Sequence, residues 1–398
     1  MKLRPRGKFI FSTFIFSLIL ISIPETFAFL FTTPEAQAAA PAGQWWNGNY
    51  TNRSKITITA GSAAVPNGYT VSLSFNHAAL VSGGKSQADG DDIRVVYWNG
   101  ASWEELDRFR DLDTPWNTAS TKIWFKIRAG ISASSSDDNY YLYYNNSSAI
   151  NPPTNGNNVF LFYDGFESGN YTAWDGTLTS DAGDSITTNT TTVNTGIYSS
   201  RSIVGDPAPG QAAAEKRFTA QTGLHTTVWV NVADWDEVED VSVVQLYGGI
   251  WGTQQGSLSL RADGFCGPTR TVFIWNAPSG EGYCGTTQLN LNQWYRLEMK
   301  IIRHPTAGRA ELWVNGVREV NESGRNTGSL DFEQQLAGIF WKSTGVQSLY
   351  IDDVFTRIWV DPEPTTSQGS EESPPMVMNP LIAYSNDAVT DLNFSTYS

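Results

Sequence analysis

The chain has 398 residues, with 26 basic and 40 acidic side chains and a formal net charge of −14 at pH 7. This length predicts two or three domains, and the acidic balance argues against nucleic acid or an anionic membrane surface as a partner. Only 17% of the residues are charged, whereas 13% are aromatic and 35 are glycine. Few charges together with many aromatic and turn-forming residues are typical of an all-β protein.

The N-terminus has the pattern of an export signal. Basic residues come first, an apolar stretch runs over 9–23, and Ala36-Gln37-Ala38 forms a small-x-small cleavage site. Residues 1–38 are therefore predicted to be a signal peptide. The apolar stretch is short for a membrane span. The long interval before Ala38 leaves an uncleaved N-terminal anchor as the one membrane contact that the sequence permits.

Residues 45–150 predict a first antiparallel β-sandwich. Apolar and polar residues alternate with a period of two, and turn sequences such as Pro66-Asn67-Gly68 and Asn99-Gly100 separate the alternating segments. No segment of this region shows helical periodicity over a useful length. The predicted strands are Lys55–Thr59, Tyr69–Phe75, Asp92–Trp98, Lys122–Ile127 and Tyr140–Tyr144.

These segments resemble, in order and spacing, a bacterial and archaeal surface module known as domain-of-unknown-function family 2341. The matching residues are Arg53 with Ile56–Ile58, Tyr69–Leu73, Asp89–Arg94, Ile123–Lys126 and Tyr140–Asn145. The resemblance implies a β-sandwich that often sits beside a concanavalin-like module, and it implies no activity. The clustered carboxylates of Asp89–Asp92 suit calcium, but their spacing is not that of an EF-hand. We therefore favour an acidic turn that leads into a strand.

A linker rich in Pro, Asn and Gly covers 150–158. The segment Val159–Trp174 then predicts the first strand of a second β-sandwich over 159–358, a jelly roll of two packed antiparallel sheets. The further predicted strands are Ser200–Val204, Glu215–Thr219, Thr226–Val232, Val241–Tyr247, Ser257–Arg261, Thr271–Trp275, Trp294–Ile302, Arg309–Val314, Gln335–Trp341 and Ser348–Thr356.

This second region resembles the concanavalin A-like lectin/glucanase superfamily, in its laminin-G-like branch. The residues that carry the resemblance are Asp164–Trp174, Gly196–Ser199 with Ser202, Trp294–Leu297, Ala310–Gly316 and Tyr350–Val354. The resemblance implies a jelly-roll fold and leaves the ligand open.

In many jelly-roll modules the first and last strands lie side by side, and their acidic residues hold a structural calcium ion. The corresponding residues here are Asp164 and Glu167 at the start, with Asp352 and Asp353 at the end. Because side chains alternate along a strand, we expect only one of Asp352 and Asp353 to face the site. The alternative is that these carboxylates cap turns and face water.

Two further sets of residues concern stability and ligand binding. Cys266 and Cys284 are predicted to form a disulfide in an exported chain, although two buried free thiols are an alternative. Sugars stack their C–H faces on aromatic rings. The tryptophans proposed to contact carbohydrate are Trp251, Trp275 and Trp341.

A catalytic set is not evident in the sequence. The nearest candidate is the acidic run over 234–240, in which Asp234, Asp236 and Glu239 have roughly the spacing of the paired carboxylates of glycosidases. Asp stands where that pattern has Glu, and the run falls between two predicted strands. We therefore expect a solvated acidic loop.

The C-terminal residues 361–398 are predicted to be a linker and a tail. Residues 361–377 are rich in Pro, Ser, Glu and Thr, which is typical of a solvated spacer. The remaining residues resemble the start of another strand module.

The sequence predicts a secreted or cell-surface protein without catalytic activity that binds or adheres to a glycan or cell-envelope component. Two alternatives are a glycoside hydrolase or polysaccharide lyase on the jelly roll, and a structural spacer in a larger envelope protein.

Overall fold

The computed structural model describes residues 43–375, except for 206–209, 236–238, 263 and 343–346, and describes only the main chain of Gly264, Trp341 and Lys342. The predicted signal peptide and the end of the tail lie outside the described residues. The described part is all-β and built from antiparallel sheets, as the sequence predicts. No helix within it is long and apolar enough to cross a membrane.

The first module packs a five-stranded sheet against a three-stranded sheet. With strands numbered in chain order, it contains β1 (Asn52–Thr59), β2 (Thr70–Phe75), β3 (Arg94–Trp98), β4 (Trp103–Leu106), β5 (Phe109–Arg110), β6 (Thr121–Lys126), β7 (Ser136–Tyr144) and the late strand β23 (Thr365–Glu372). The strand order is β23-β1-β7-β3-β4 in one sheet and β2-β6-β5 in the other. Ile56 and Ile58 of β1 and Ile123 and Phe125 of β6 are fully buried, which follows from the period-two alternation.

All five strands predicted in this region are present, and the structure adds elements that the sequence did not reveal. The strands β4 and β5 are short, and helix α1 (His77–Ser82) has only six residues, too few to display a helical period. The Asn76 side chain caps α1 by accepting a hydrogen bond of 2.9 Å from the Ala79 main-chain N–H.

The prediction of a solvated spacer over 361–377 is wrong where the structure describes it. Residues 365–372 form β23, which pairs antiparallel with β1 along the edge of the five-stranded sheet. Its side chains are mostly exposed, so the strand carries no apolar pattern that could mark it in the sequence. Main-chain hydrogen bonds to β1 hold it, assisted by an ion pair between Arg53 and Glu372 with an N–O distance of 2.8 Å.

The second module is a jelly roll of two large sheets. Its strands are β8 (Phe162–Asp164), β9 (Gly176–Thr179), β10 (Ser185–Asn189), β11 (Ser199–Val204), β12 (Gly210–Gln221), β13 (Gly223–Trp235), β14 (Val241–Gly248), β15 (Thr253–Arg261), β16 (Thr271–Asn276), β17 (Glu281–Gln288), β18 (Trp294–Ile302), β19 (Gly308–Val314), β20 (Val317–Arg325), β21 (Phe332–Lys342) and β22 (Gln347–Ile358). One sheet has the order β10-β11-β22-β13-β18-β19-β20, with β8 also paired to β22, and the other has the order β17-β16-β15-β14-β21-β12-β9. All ten later strands predicted from the sequence are present.

The core of the jelly roll lies between these two sheets. Leu224, Val228 and Val230 of β13 face Leu258 and Leu260 of β15 across it, and all five side chains are fully buried. Because strands alternate, the other residues of β15 point away from the core. The seven-stranded sheet therefore has a polar outer face, on which Gln245, Ser257 and Ser259 are nevertheless 1–2% exposed.

The segment Val159–Trp174 is not one continuous strand. The short helix α2 (Gly156–Val159) precedes it, only residues 162–164 pair with β22, and the chain then turns. The turn arises because Asp164 Oδ1 accepts a hydrogen bond of 2.8 Å from the Phe166 N–H, while Phe166 takes a left-handed conformation with φ of 59°. The predicted pairing of the first and last strands is nevertheless present, with Asp164 opposite Val354.

The two modules meet through an aromatic cluster around Phe160 and through two arginines of the jelly roll. The ring of Phe109 from the first module packs edge-on against that of Phe160 with centroids 5.3 Å apart, and Phe160 in turn stacks on Phe355 at 5.0 Å. Arg296 of the jelly roll pairs with Asp113 of the first module, and Arg357 donates a hydrogen bond of 3.2 Å to the Tyr69 hydroxyl. The junction is therefore partly apolar and partly ionic.

Candidate functional site

A groove of about 400 Å³ lies on the outer face of the seven-stranded sheet. The strand register places Trp275, Ser257 and Gln245 side by side across β16, β15 and β14. A second row holds Phe273, Ser259 and Ser242 in the same order. The residues that line this outer-face groove are Asp240, Ser242, Gln245, Gln254, Ser257, Ser259, Arg261, Phe273, Trp275 and Phe340.

The floor of the outer-face groove consists of hydroxyl and amide groups that bond to one another. The Tyr247 hydroxyl donates to Gln245 Oε1 at 2.6 Å, and burial raises the pKa of Tyr247 to about 12, so this hydroxyl stays protonated. The hydroxyl of Ser259 lies 2.9 Å from that of Ser257 and 3.1 Å from that of Ser242. Because hydroxyl groups can both donate and accept, this floor can exchange hydrogen bonds with a polyhydroxylated ligand.

An ion pair closes one end of the outer-face groove. Arg261 pairs with Asp240, whose other oxygen accepts a hydrogen bond of 2.9 Å from the Ala262 N–H. The guanidinium carbon of Arg261 also lies 4.6 Å from the ring centroid of Phe265 and 5.3 Å from that of Phe273. These contacts fix the arginine and neutralise its charge locally.

The predicted disulfide between Cys266 and Cys284 is confirmed, with a Cα–Cα distance of 5.3 Å. It ties the turn that carries Phe265 to β17, where Cys284 lies opposite Phe273. A side chain at Gly282 would meet the Phe265 ring at 3.4 Å, so the glycine allows this ring to lie close over the strand. Phe265 is 64% exposed and stands next to the outer-face groove.

The structure does not bring the three predicted tryptophans into one groove. Trp275 is half-buried and lines the outer-face groove. Trp251 is 49% exposed in the turn between β14 and β15 and has a left-handed φ of 54°, where its N–H donates to Gln334 Oε1 at 2.7 Å. Such a conformation is unusual for a bulky residue and often marks a functional position. The side chain of Trp341 lies outside the described residues.

A second groove, of about 500 Å³, adjoins the end of the sandwich. This end groove is lined by Thr253, Gln254, Gln255, Ala277, Pro278, Pro305, Asn326, Gly328, Ser329 and Leu330. Gln254 also lines the outer-face groove, so the two grooves adjoin at this residue.

The four acidic residues of the predicted calcium site lie near one another and bind loops. Glu167 accepts hydrogen bonds of 2.9 and 3.0 Å from the N–H groups of Ile197 and Tyr198. Asp164 accepts one of 2.7 Å from the indole of Trp174, in addition to that from Phe166 N–H.

The expectation that Asp352 and Asp353 point to opposite faces is wrong. Asp352 Oδ2 accepts hydrogen bonds from the N–H groups of Asn194 and Thr195, and Asp353 Oδ2 accepts from the side chains of the same two residues. Asp353 has a left-handed φ of 48°, which breaks the alternation of the strand. Both carboxylates therefore face the loop at 194–195.

Burial raises the pKa of both carboxylates. Burial and the neighbouring Asp353 charge raise the pKa of Asp352 to about 8. Burial, and to a smaller degree the charge of Glu167, raises the pKa of Asp353, although hydrogen bonds from Asn194 and Thr195 oppose the shift. Asp353 Oδ1 is buried without a hydrogen bond of good geometry, although the neighbouring Tyr163 hydroxyl also lowers the pKa of Asp353. A cation would neutralise this repulsion.

The geometry only partly suits a calcium ion. No group of three or more His, Cys, Asp or Glu side chains among the described residues is placed to hold a metal. The carboxylate oxygens of Asp164 and Glu167 already accept hydrogen bonds from turns and from an indole. Asp353 has one oxygen without a hydrogen bond of good geometry. Calcium remains a prediction, with Asp353 as its best-placed ligand.

The acidic run over 234–240 begins on a strand and not in a loop, because Asp234 belongs to β13 and pairs with Ser348. Asp234 lies exposed near the end of β13 and Asp240 just before β14, in different sheets, while Asp236 lies outside the described residues. Asp92 is fully buried and accepts hydrogen bonds from Ser86 and Gln87 in the turn before β3. Its oxygens therefore serve the fold of the first module.

Sequence reasoning missed most of the residues that line the outer-face groove. Ser257, Ser259 and Arg261 alternate with the buried Leu258 and Leu260 along β15. That alternation was visible in the sequence and indicates a polar outer face. It could not show which other strands lie beside β15, and so could not place Gln245 and Trp275 beside these residues.

Comparison with known families covers part of the first module. Residues 89–177 match the family model "Domain of unknown function (DUF2341)", in agreement with the resemblance seen in the sequence. The match continues past the predicted boundary near 150 and through β8 into β9. A search of curated proteins finds no match.

Solved structures resemble the chain at low identity. An endo-β-1,4-glucuronan lyase from the fungus Trichoderma reesei has 11% identity and a TM-score of 0.39, with 52% of this chain and 98% of that chain covered. The cellulose induced protein Cip1 has 15% identity and a TM-score of 0.39, with 49% of this chain and 96% of that chain covered. The alginate lyase Aly36B has 15% identity and a TM-score of 0.32, covering 41% and 82%. Likeness at this level carries no argument about activity.

Proposed function

We propose that this protein is an exported, non-catalytic carbohydrate-binding protein whose jelly roll holds a glycan in the outer-face groove. The observation that carries the proposal is the half-buried indole of Trp275 beside a floor of Ser257, Ser259 and Gln245. An aromatic face for sugar C–H groups next to hydroxyl and amide partners is the combination that sugar recognition needs.

The export pattern of residues 1–38 and the disulfide support a position outside the cytoplasm. The partner would then be a glycan or another component of a cell envelope. The spacer alternative predicts no glycan binding. The hydrolase or lyase alternative predicts bond cleavage, with release of reducing sugar or an unsaturated product.

The test is a glycan array followed by calorimetry on the full chain. Trp275→Ala is expected to weaken binding of the selected glycan by about 2 kcal/mol, roughly thirtyfold in Kd, because a stacking ring at the centre of a site is lost. Val317→Ala is the matched control, since Val317 is 64% exposed on the other sheet. An array with no bound glycan, or unchanged affinity in Trp275→Ala, would reject the proposal.

We also propose a structural calcium ion held by Asp353 together with Asp352. A cation there would offset the repulsion between two buried carboxylates and tie β22 to the loop at 194–195. Added calcium is expected to raise the melting temperature of the chelator-treated protein, with no such rise in Asp353→Asn. Equal melting temperatures with calcium and with chelator would remove the ion from this site.

A further inference from the structure

The outer-face groove and the end groove share Gln254 in their linings. The outer-face groove follows β15 from Gln254 to Arg261, a distance of about 23 Å at the usual rise of a strand. The end groove continues from Gln254 to Leu330, past Thr253 and Gln255. A ligand that fills one groove and extends past Gln254 therefore reaches the other.

The end groove has apolar walls. Pro278, Pro305 and Leu330 line it, and Leu330 remains 47% exposed. Asn276 Nδ2 donates a hydrogen bond of 3.0 Å to the Asn326 carbonyl, which fixes the loop that carries Leu330 against β16. Pyrrolidine and leucine side chains in fixed positions offer a surface on which C–H groups can pack.

Its lining also contains a buried acceptor without a partner. Gln255 is 2% exposed, and its Oε1 makes no hydrogen bond. The orientation of this amide is fixed because its Nε2 donates to the carbonyls of Thr253 and Gln254 at 3.0 and 3.4 Å. Gly328 packs over this oxygen, where a Cβ would come within 1.8 Å of it. A buried, unpaired acceptor is costly, and a ligand hydroxyl could pair with it only by displacing Gly328.

The described residues that line the two grooves carry almost no net charge. The only charged residues among them are Arg261 and Asp240, which pair with each other at the far end of the outer-face groove. Recognition of carboxylate groups on a sugar chain relies on cations that can form charge-assisted hydrogen bonds. The lining offers hydroxyl, amide and apolar groups instead.

From the residue that lines both grooves and from this chemistry we infer that the two grooves form one binding surface for an extended, uncharged glycan chain. The inference rests on the proposed carbohydrate-binding function and adds the length and the charge class of the ligand. The glycan chain lies along β15, stacks on Trp275 and passes Gln254. It then packs against Leu330 and Pro278 in the end groove.

The test measures Kd for a length series of one neutral glycan selected on the array, with alginate and polyglucuronate oligomers as charged counterparts. Affinity for the neutral series is expected to rise with length until both grooves are filled. Leu330→Ala is expected to lower the affinity of the longest oligomers by roughly tenfold and to leave the shortest bound oligomer unchanged. Trp275→Ala weakens every length, and Val317→Ala changes none.

Equal affinity for short and long neutral oligomers, or preferential binding of the uronate oligomers with a strong salt dependence, would overturn the inference while leaving glycan binding in place. Failure of every oligomer and array glycan to bind would instead reject the proposed function itself. The melting temperatures of Leu330→Ala and Trp275→Ala are measured as a control. Values close to that of the unchanged chain establish that these variants fold and that only binding is lost.

Discussion

At the scale of single residues, Asp352 and Asp353 are two adjacent carboxyl groups of the jelly roll whose ionisation is opposed by burial. Both are fully buried, next to each other in sequence, and turned toward the same loop. The pKa of Asp352 is raised to about 8 by burial and by Asp353, so its ionisation near neutral pH works against folding.

The first prediction concerns stability above pH 4. Because the pKa of Asp352 is higher in the folded chain than in the unfolded chain, Asp352 contributes to the free energy of unfolding. This contribution is complete below a pH of about 3.8 and is lost as the pH rises to about 8. Asp353→Asn keeps an oxygen for Asn194 and Thr195 and removes the neighbouring charge. We expect calcium-free Asp353→Asn to unfold at higher denaturant concentration than the unchanged chain at pH 8.

The control for this prediction is the same pair of proteins at pH 4, where Asp352 of the unchanged chain is protonated in the folded state. The difference between them should shrink there. The quantity to compare is the stability that Asp353→Asn gains over the unchanged chain. If this gain is no larger at pH 8 than at pH 4, the two carboxylates do not repel each other.

At the scale of secondary-structure elements, β23 completes the first module. It follows the jelly roll in the chain but pairs with β1 at the edge of the first sheet. The first and last strands of the described chain are thus neighbours, and the jelly roll is an insertion between β7 and β23. The family match over 89–177 covers neither β1 nor β23.

The second prediction follows from this pairing. A chain that stops after Pro364 loses β23 and is expected to lose stability in the first module, on the order of 1 kcal/mol for each main-chain hydrogen bond to β1. Hydrogen exchange of the β1 amides should accelerate strongly, while that of β13 and β18 should change little. A chain that stops after Pro375 is the matched control and should exchange like the full chain; equal exchange in both truncated chains would refute the role of β23.

The predictability of the elements follows their side-chain patterns. Ten of the fourteen described strands after β8 were predictable because apolar residues alternate along them, whereas β9, β10, β17 and β20 were not predicted. β23 was not, because its sequence Thr-Thr-Ser-Gln-Gly-Ser-Glu-Glu is polar on both faces and it is held by main-chain bonds. The first stretch of the jelly roll was predicted as too long a strand because the side-chain bond from Asp164 and the left-handed Phe166 end it early.

At the scale of the whole molecule, the two modules share a buried ionic network. His225 on β13 is buried and its Nε2 lies 2.7 Å from Glu298 Oε2. Burial, helped by the charge of Arg357, lowers the pKa of His225 to about 4. Burial by itself would raise the pKa of Glu298. The hydrogen bond from His225 and the charge of Arg296 outweigh burial and lower this pKa to about 2.

The third prediction concerns the acid side of the stability profile. The unfolded chain protonates His225 near pH 6.5, but the folded chain does so only near pH 4, so the free energy of unfolding falls as the pH is lowered through this window. The expected loss is on the order of 3 kcal/mol. His225→Gln retains a donor for Glu298 and is expected to remove this loss in denaturant titrations at pH 7 and pH 4.5.

His304→Gln is the matched control, because His304 is exposed in a loop of the jelly roll. It should follow the pH profile of the unchanged chain. If His225→Gln loses as much stability as the unchanged chain between these two pH values, the buried histidine is not the source of the acid sensitivity.

The sequence by itself determined the all-β class, most strands, the disulfide and the likeness of part of the chain to the DUF2341 family, because all of these depend on alternation, spacing and residue type. The tertiary structure alone decided where β23 pairs, that Asp352 and Asp353 face the same loop, and that Trp275 stands beside Ser257 and Gln245. These three features depend on which strands become neighbours and on left-handed residues that reverse a side chain. Neither is encoded in the periodicity of any one segment.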